Sequence, residues 1–262
     1  MQDGKSIISG WSDGKIRAFL PQSGKLLYVI NDAHNHGCTA VTGTADCQRI
    51  ISGGAEGEIR IWKITKQTQI MEASLKEHRG RVWSIQINKE NTQAVSASGD
   101  GSCIIWDLKN HSRILCLFES TAFKQASMNS EEYQILTAGT DHKITYWEKY
   151  DGQIIRSIEA SQKELNTLEV TQEGKHFVTG GQDGQLRIWN YDEGVCYYEG
   201  EGHSGSIIKL KISPDQKTII SVGSEGAIFF WNVPEEITKT KEPLKEESVK
   251  GSVKSSVKGS KK

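Results

Sequence analysis

Short apolar runs broken by turn residues dominate the chain. RIISG (49–53), HFVTG (176–180) and TIISV (218–222) each lead into a pair of small or acidic residues, and runs ending in an aromatic follow: EIRIW, SCIIW, KITYW, QLRIW and AIFFW. VWSIQI (82–87) and IIKLKI (207–212) stand before such pairs, and KLLYVI (25–30) stands after one. Runs of this length with alternating character predict β-strands, and no stretch carries a helical period of convincing length. The turn pairs are Asp13-Gly14, Glu56-Gly57, Asp100-Gly101, Asp141-His142, Asp183-Gly184 and Glu225-Gly226. Glycine there accepts positive φ, which predicts a tight hairpin of type I′ in each copy.

The aromatic that closes each copy is Phe19, Trp62, Trp106, Trp147, Trp189 or Trp231, at intervals of 41 to 44 residues. Four strands per unit at that period predict an all-β chain of four-stranded antiparallel blades around an axis, a β-propeller. The first copy opens just before SIISG (6–10), its second strand, and the last stops at IFFWNV (228–233) without a fourth. The expectation is therefore twenty-two strands, about five and a half blades, over residues 1–234. Unpaired sheet edges invite aggregation, so the chain is expected to be the C-terminal part of a longer protein or to borrow strands from a partner. A distorted six-bladed ring is the alternative.

The turn, the strand ending in Trp and dipeptides such as Gly202-His203 resemble the WD-repeat family over about residues 1–233. Only Trp106-Asp107 supplies the literal Trp-Asp pair, and Phe19 stands in place of the first Trp. The resemblance implies a buried tetrad, complete as His78, Ser96, Asp100 and Trp106. It implies variants with Glu for Asp at His34, Ser52, Glu56, Trp62 and at His203, Ser221, Glu225, Trp231. Two copies, Thr137, Asp141, Trp147 and Thr179, Asp183, Trp189, have no His at the matching place, so weaker ties are expected there, each lost buried hydrogen bond being worth roughly 1 kcal/mol.

MQDGKSIISGWSDGKIRAF, GKLLYVINDAH, GGAEGEIRIW, CIIWDL and TQEGKHFVTGGQDG are similar to a cilia- and flagella-associated branch of that family. Its members have two propellers and are inner proteins of ciliary doublet microtubules. That similarity implies part of a seven-bladed second propeller, acting as a non-catalytic structural scaffold of the axoneme in the doublet lumen. Its partners would be tubulin and other axonemal microtubule inner proteins. The alternative is a soluble WD-repeat adaptor, such as a ubiquitin-ligase substrate receptor or a signalling scaffold. Against it, there is no F-box, and Lys109 follows Trp106-Asp107-Leu108 where a ligase-docking repeat would favour Arg.

Composition adds less. The 262 residues are 36% hydrophobic with a formal net charge of −1, which gives no pointer to nucleic acid or a membrane. Residues 248–262 hold five Lys and no acid, so the Lys/Ser-rich segment 235–262 is expected to be a disordered tail. Five scattered cysteines without a C-x-x-C pair predict free thiols in a reducing, cytoplasmic setting. No apolar stretch approaches the roughly 18 to 20 residues of a membrane span.

Several constellations imitate chemistry. Ser96, His78 and Asp100 have the composition of a catalytic triad, but their repeat positions point inward. Gly10-Trp11-Ser12-Asp13-Gly14 fits a nucleophile elbow by letter, yet a strand pattern follows where a helix is needed. Residues 200–205, GEGHSG, fit a dinucleotide fingerprint and run into another alternating strand. His34, His36, Cys38 and Cys47 offer metal-ligand types without paired spacing, and Cys103, Cys116 and Cys196 read as strand core residues. No cofactor, metal, small-molecule substrate or catalysis is expected. Docking of a protein partner is the better candidate, with Lys76, Arg79, Arg81 and Trp83 in one turn and Trp11 before the first hairpin, because Trp and Arg are enriched in interface hot spots.

Overall fold

The computed structural model describes residue 1 and residues 3–65 and 67–238, and contains six antiparallel sheets. The first sheet holds β1 (Ile7–Gly10), β2 (Ile16–Phe19) and β3 (Leu26–Ile30). The second holds β4 (Cys38–Gly43), β5 (Arg49–Gly54), β6 (Ile59–Ile64) and β7 (Gln69–Leu75). The third is β8 (Val82–Ile87), β9 (Gln93–Ser98), β10 (Ser102–Asp107) and β11 (Ser112–Phe118). The fourth is β12 (Phe123–Met128), β13 (Gln134–Gly139), β14 (Lys143–Glu148) and β15 (Ile154–Glu159). The fifth is β16 (Leu165–Val170), β17 (His176–Gly181), β18 (Leu186–Asn190) and β19 (Cys196–Gly200). The sixth has three strands, β20 (Ile207–Ile212), β21 (Thr218–Gly223) and β22 (Ile228–Asn232). These are the blades of a β-propeller, with three strands in the first and last sheets as the run pattern predicts.

Each blade is a meander in sequence order, so only short connections are required. The cores lie between blades. Val95, Cys103 and Ile105 of the third sheet pack on Phe123, Ile135 and Trp147 of the fourth, while Leu136, Ile144 and Tyr146 of the fourth meet Leu165, Phe177 and Trp189 of the fifth. A central strand therefore buries both faces, which explains runs such as RIISG and HFVTG that are apolar without clean alternation.

The hairpin turns correct one expectation. Gly57 has φ +87 and its amide bonds the Gly54 carbonyl, while the Gly54 amide bonds the Glu58 carbonyl. That is a three-residue loop, a type I turn followed by a left-handed residue, and not the two-residue type I′ turn. The second residue of every turn pair has positive φ, including His142 at +67. Two further features escape a count of alternation. Each of the five inner strands β4, β8, β12, β16 and β20 slips register after its first residue, and β2, β6, β10, β14 and β18 slip at or just before the closing aromatic. Such bulges insert a residue and re-aim its side chain.

Secondary structure continues past residue 234. Residues assigned to the tail from position 235 begin with α1 (Glu235–Thr238), whose Ile237 joins the last core cluster beside Trp231 and Val233. The remainder of the tail, 239–262, lies outside the described residues.

Candidate functional site: buried networks, channel and mouth

The third blade builds its tetrad with one residue more than the sequence suggests. Ser96 Oγ is fully buried, 2.8 Å from Trp106 Nε1 and 2.7 Å from His78 Nε2. Asp100 lies 3.7 Å from His78 Nδ1, too far for a direct hydrogen bond, and the Ser102 hydroxyl stands between them at 2.6 Å from Nδ1 and 2.5 Å from the carboxylate. Counting protons orders the chain. Trp106 donates to Ser96, Ser96 to His78 Nε2, His78 Nδ1–H to Ser102, and Ser102 to Asp100. Burial lowers the His78 pKa to about 4, so the imidazole is neutral, as this order requires. Burial pushes Asp100 up, but bonds from Ser102 and the Arg79 amide outweigh it and hold the carboxyl below its ordinary value.

Glutamate, one methylene longer, reaches without a relay. Glu56 accepts from His34 Nδ1 at 2.8 Å, with Ser52 linking His34 Nε2 at 2.8 Å to Trp62 Nε1 at 3.0 Å. Glu225 likewise bonds His203 directly, and Ser221 joins that ring to Trp231 at 2.8 Å. In the fourth and fifth blades Trp147 and Trp189 donate to Thr137 (2.8 Å) and Thr179 (2.9 Å). Their missing histidines have replacements at the same offset, four residues before the inner strand. Ser161 donates to Asp183 at 2.9 Å, and Arg187 adds an ion pair at 2.6 Å. Glu119 stands in that place near Asp141, its Oε2 buried without a partner, and burial first and Asp141 second raise its pKa. In the first blade, where Phe19 has no N–H, the indole of Trp11 donates to Ser9 Oγ at 2.8 Å.

These networks face inward, and the letter-matches to catalytic motifs fall apart. Ser96 is enclosed, residues 10–14 run into β2, and residues 200–205 run into β20. His34 spends both ring nitrogens on Ser52 and Glu56, and burial first, with Glu56 second, pushes the Cys38 thiol up to about 12. Among the described residues no group of three or more His, Cys, Asp or Glu is arranged to hold a metal. Cys103 is buried and Cys196 partly so, but Cys116 is exposed on the outer strand β11, a correction to its reading as core.

The inner strands enclose a channel of about 570 Å³. Gln125 and Ser127 of β12, Glu169 of β16 and Lys209 and Lys211 of β20 line it. Its mouth is set by the inner-strand bulges, whose extra residues are Thr39, Trp83, Lys124, Asn166 and Ile208. Half-buried Trp83 has the Lys124 ammonium 4.0 Å and the Arg81 guanidinium 5.0 Å from its ring centroid. Neither cation has a carboxylate within ion-pair distance among the described residues. Of the five docking candidates, the structure brings Arg81 and Trp83 together. Lys76 pairs with Glu58 at 3.7 Å and the Arg79 side chain lines a separate groove with Glu77 and Arg113. Trp11 is 45% exposed, with Arg17, itself paired to Asp13, 4.6 Å over its ring. Lys124 was missed because the bulge that turns it to the mouth has no signature in the run FKQASM.

Every outer strand of the first five blades also shows a large apolar side chain to solvent: Leu27, Met71, Ile114, Ile155 and Tyr197 are 44–48% exposed. They stand one per blade on successive outer strands around the rim.

The WD domain, G-beta repeat family matches residues 24–63, 70–107, 152–190 and 194–232. The chain is 53% identical over 178 residues to a mouse protein named Cilia- and flagella-associated protein 52, and 52% identical over 178 residues to the human protein of that name. The Chlamydomonas reinhardtii protein of the same name is 51% identical over 174 residues. These alignments cover 66–68% of this chain and 28–29% of each relative, so the chain spans under a third of their length. The repeat matches fall on the blades whose turns, bulges and buried tryptophans are described above, and the chain belongs to the WD-repeat family of β-propellers.

Proposed function

We propose that this chain is a non-catalytic structural scaffold of the ciliary axoneme, a microtubule inner protein that binds tubulin and neighbouring inner proteins in the doublet lumen. The observation that carries the reading is identity of 51–53% over 174–178 residues with relatives from mouse and Chlamydomonas named cilia- and flagella-associated. The geometry supports it. A propeller with an exposed apolar side chain on each of five outer strands and a cation-flanked tryptophan at one mouth can be gripped from several sides at once, as a lattice component must be. Propeller blades and inward-facing hydroxyls offer structure rather than turnover.

The test is fractionation of ciliated cells expressing the tagged chain. Retention on doublets after detergent and moderate salt is expected, together with partial release of a Trp83→Ala, Arg81→Ala variant. Quantitative release of the unmutated chain into the soluble fraction, associated with a cullin, would replace the scaffold with the adaptor.

A further inference from the structure

The channel carries a cation whose only hydrogen-bond partner among the described residues is a neutral amide. Lys209 stands on β20 at the channel wall, and its ammonium reaches across to Gln125 Oε1 of β12, two blades away, at 2.5 Å. That amide oxygen is its only hydrogen-bond partner among the described residues. The neighbouring carboxylate is already committed: Glu169 accepts from Lys211 Nζ at 2.6 Å and from the Ile212 amide at 2.9 Å. Lys209 is half-buried in the channel wall with a neutral hydrogen-bond partner, whereas charged groups drawn out of water are ordinarily paired. Burial first and the Lys211 charge second lower its pKa to about 8, only partly offset by the Glu169 carboxylate. The surrounding wall is polar, with the Ser127 hydroxyl and the Gln86 and Gln125 amides, and the space of about 570 Å³ admits a small hydrated ligand.

We propose that the channel is an anion site that takes a small oxyanion of the phosphate class, with Lys209 as its cation and the channel hydroxyls and amides as further donors. A tetrahedral oxyanion suits the position because it accepts from several directions at once, and a charge-assisted bond from a lysine ammonium is of the strong kind. Trp83 lines the mouth of the same channel, but the site rests on Lys209 and its polar neighbours in the channel wall and not on the axonemal reading.

Calorimetric titration of the full chain with inorganic phosphate at constant ionic strength tests this, with phosphoserine as a parallel arm. One-to-one binding is expected, and binding of both ligands would indicate a phosphoryl group presented on a larger molecule, whereas phosphate alone would indicate a free ion. Lys209→Met should weaken binding at least about tenfold, the worth of one hydrogen bond to a charged group. Gln125→Glu sets a carboxylate against the ammonium, preserves the cross-channel contact and hence the fold, and should weaken binding as much. Lys124→Met, at the mouth, should leave it within about twofold, since charge-screened surface contacts contribute little. The proposal is overturned by the absence of heat at tens of millimolar phosphate, by unchanged binding in both Lys209→Met and Gln125→Glu, or by a response that chloride at matched ionic strength reproduces.

Discussion

Replacing Ser96 by alanine removes one hydroxyl that serves two buried partners. The Trp106 indole N–H at 2.8 Å and the His78 Nε2 at 2.7 Å both lose their only hydrogen-bond partner, in a site where Trp106 is 1% and His78 6% exposed. Leaving one buried polar group unsatisfied costs about 1–3 kcal/mol, so two orphans cost about 2–6 kcal/mol. Thr179→Val in the fifth blade is the comparison. It removes a hydroxyl of the same kind whose sole tetrad partner is Trp189 Nε1 at 2.9 Å, and it costs about 1–3 kcal/mol. Urea unfolding at pH 7 resolves a difference of that size against a total of about 5–15 kcal/mol. Hydrogen exchange locates it: protection should fall first in β9 and β10 for Ser96→Ala and in β17 and β18 for Thr179→Val. A Ser96→Ala chain no less stable than Thr179→Val would refute the two-partner reading of that hydroxyl and the proton order through His78.

His78 is neutral in the fold because burial lowers its pKa to about 4, below the unfolded value of about 6.5, so its stability contribution is intact above pH 6.5 and lost as pH falls towards 4. Between pH 7 and pH 5 the loss should be about 2 kcal/mol and be absent from His78→Gln, as read by urea unfolding at the two pH values. Glu119 runs the other way: its folded pKa is raised above the unfolded one, so its charge costs stability at neutral pH and the cost disappears as pH falls through that range. Glu119→Gln should therefore raise the midpoint at pH 7, by under about 1 kcal/mol because the site is partly solvated, and show no gain near pH 4. Gly101→Ala should destabilise by about 2 kcal/mol or more, since the residue has φ +87 and an added Cβ would lie 2.5 Å from the Glu119 carbonyl oxygen. An unchanged thermal midpoint would contradict it.

Strand content was legible because the chain repeats its own evidence: VWSIQI and IIKLKI are β8 and β20 to the residue, and the turn pairs all carry a left-handed second position. Register was not. An inner-strand bulge changes which side of the sheet a residue faces, and nothing in CTAVTG, FKQASM or IIKLKI marks its second position as extra. That is why Lys124 was overlooked as a neighbour of Trp83. Ser102 was hidden for a different reason, because the shortfall of an aspartate arm relative to glutamate is a matter of about one methylene and appears only in three dimensions. Glu119 and Ser161 could have been found, since they stand at the histidine offset from Phe123 and Leu165, just as His78 does from Val82.

How the blades are joined decides whether the disc can serve as a rigid body. Inner strands are stapled by side chains that bond the next strand's backbone: Thr39 to the Val82 carbonyl at 2.6 Å, the Met128 amide to Gln86 at 2.8 Å, the Ile212 amide to Glu169 at 2.9 Å. The seam between β12 and β16 has no such staple among the described residues. It is closed from the outside, where Tyr146, 1% exposed, donates to the Tyr191 carbonyl at 3.0 Å, Tyr191 donates to Gln134 at 2.7 Å, and the two rings meet edge to face at 5.3 Å. Lys209 then bridges the same region through the channel by holding Gln125. Each seam from the second blade to the sixth thus has its own lock, built from different residues. Because the second to sixth blades are held to one another, a contact made at the Trp83 mouth is made by a surface already ordered, and association is spared the entropy of ordering it.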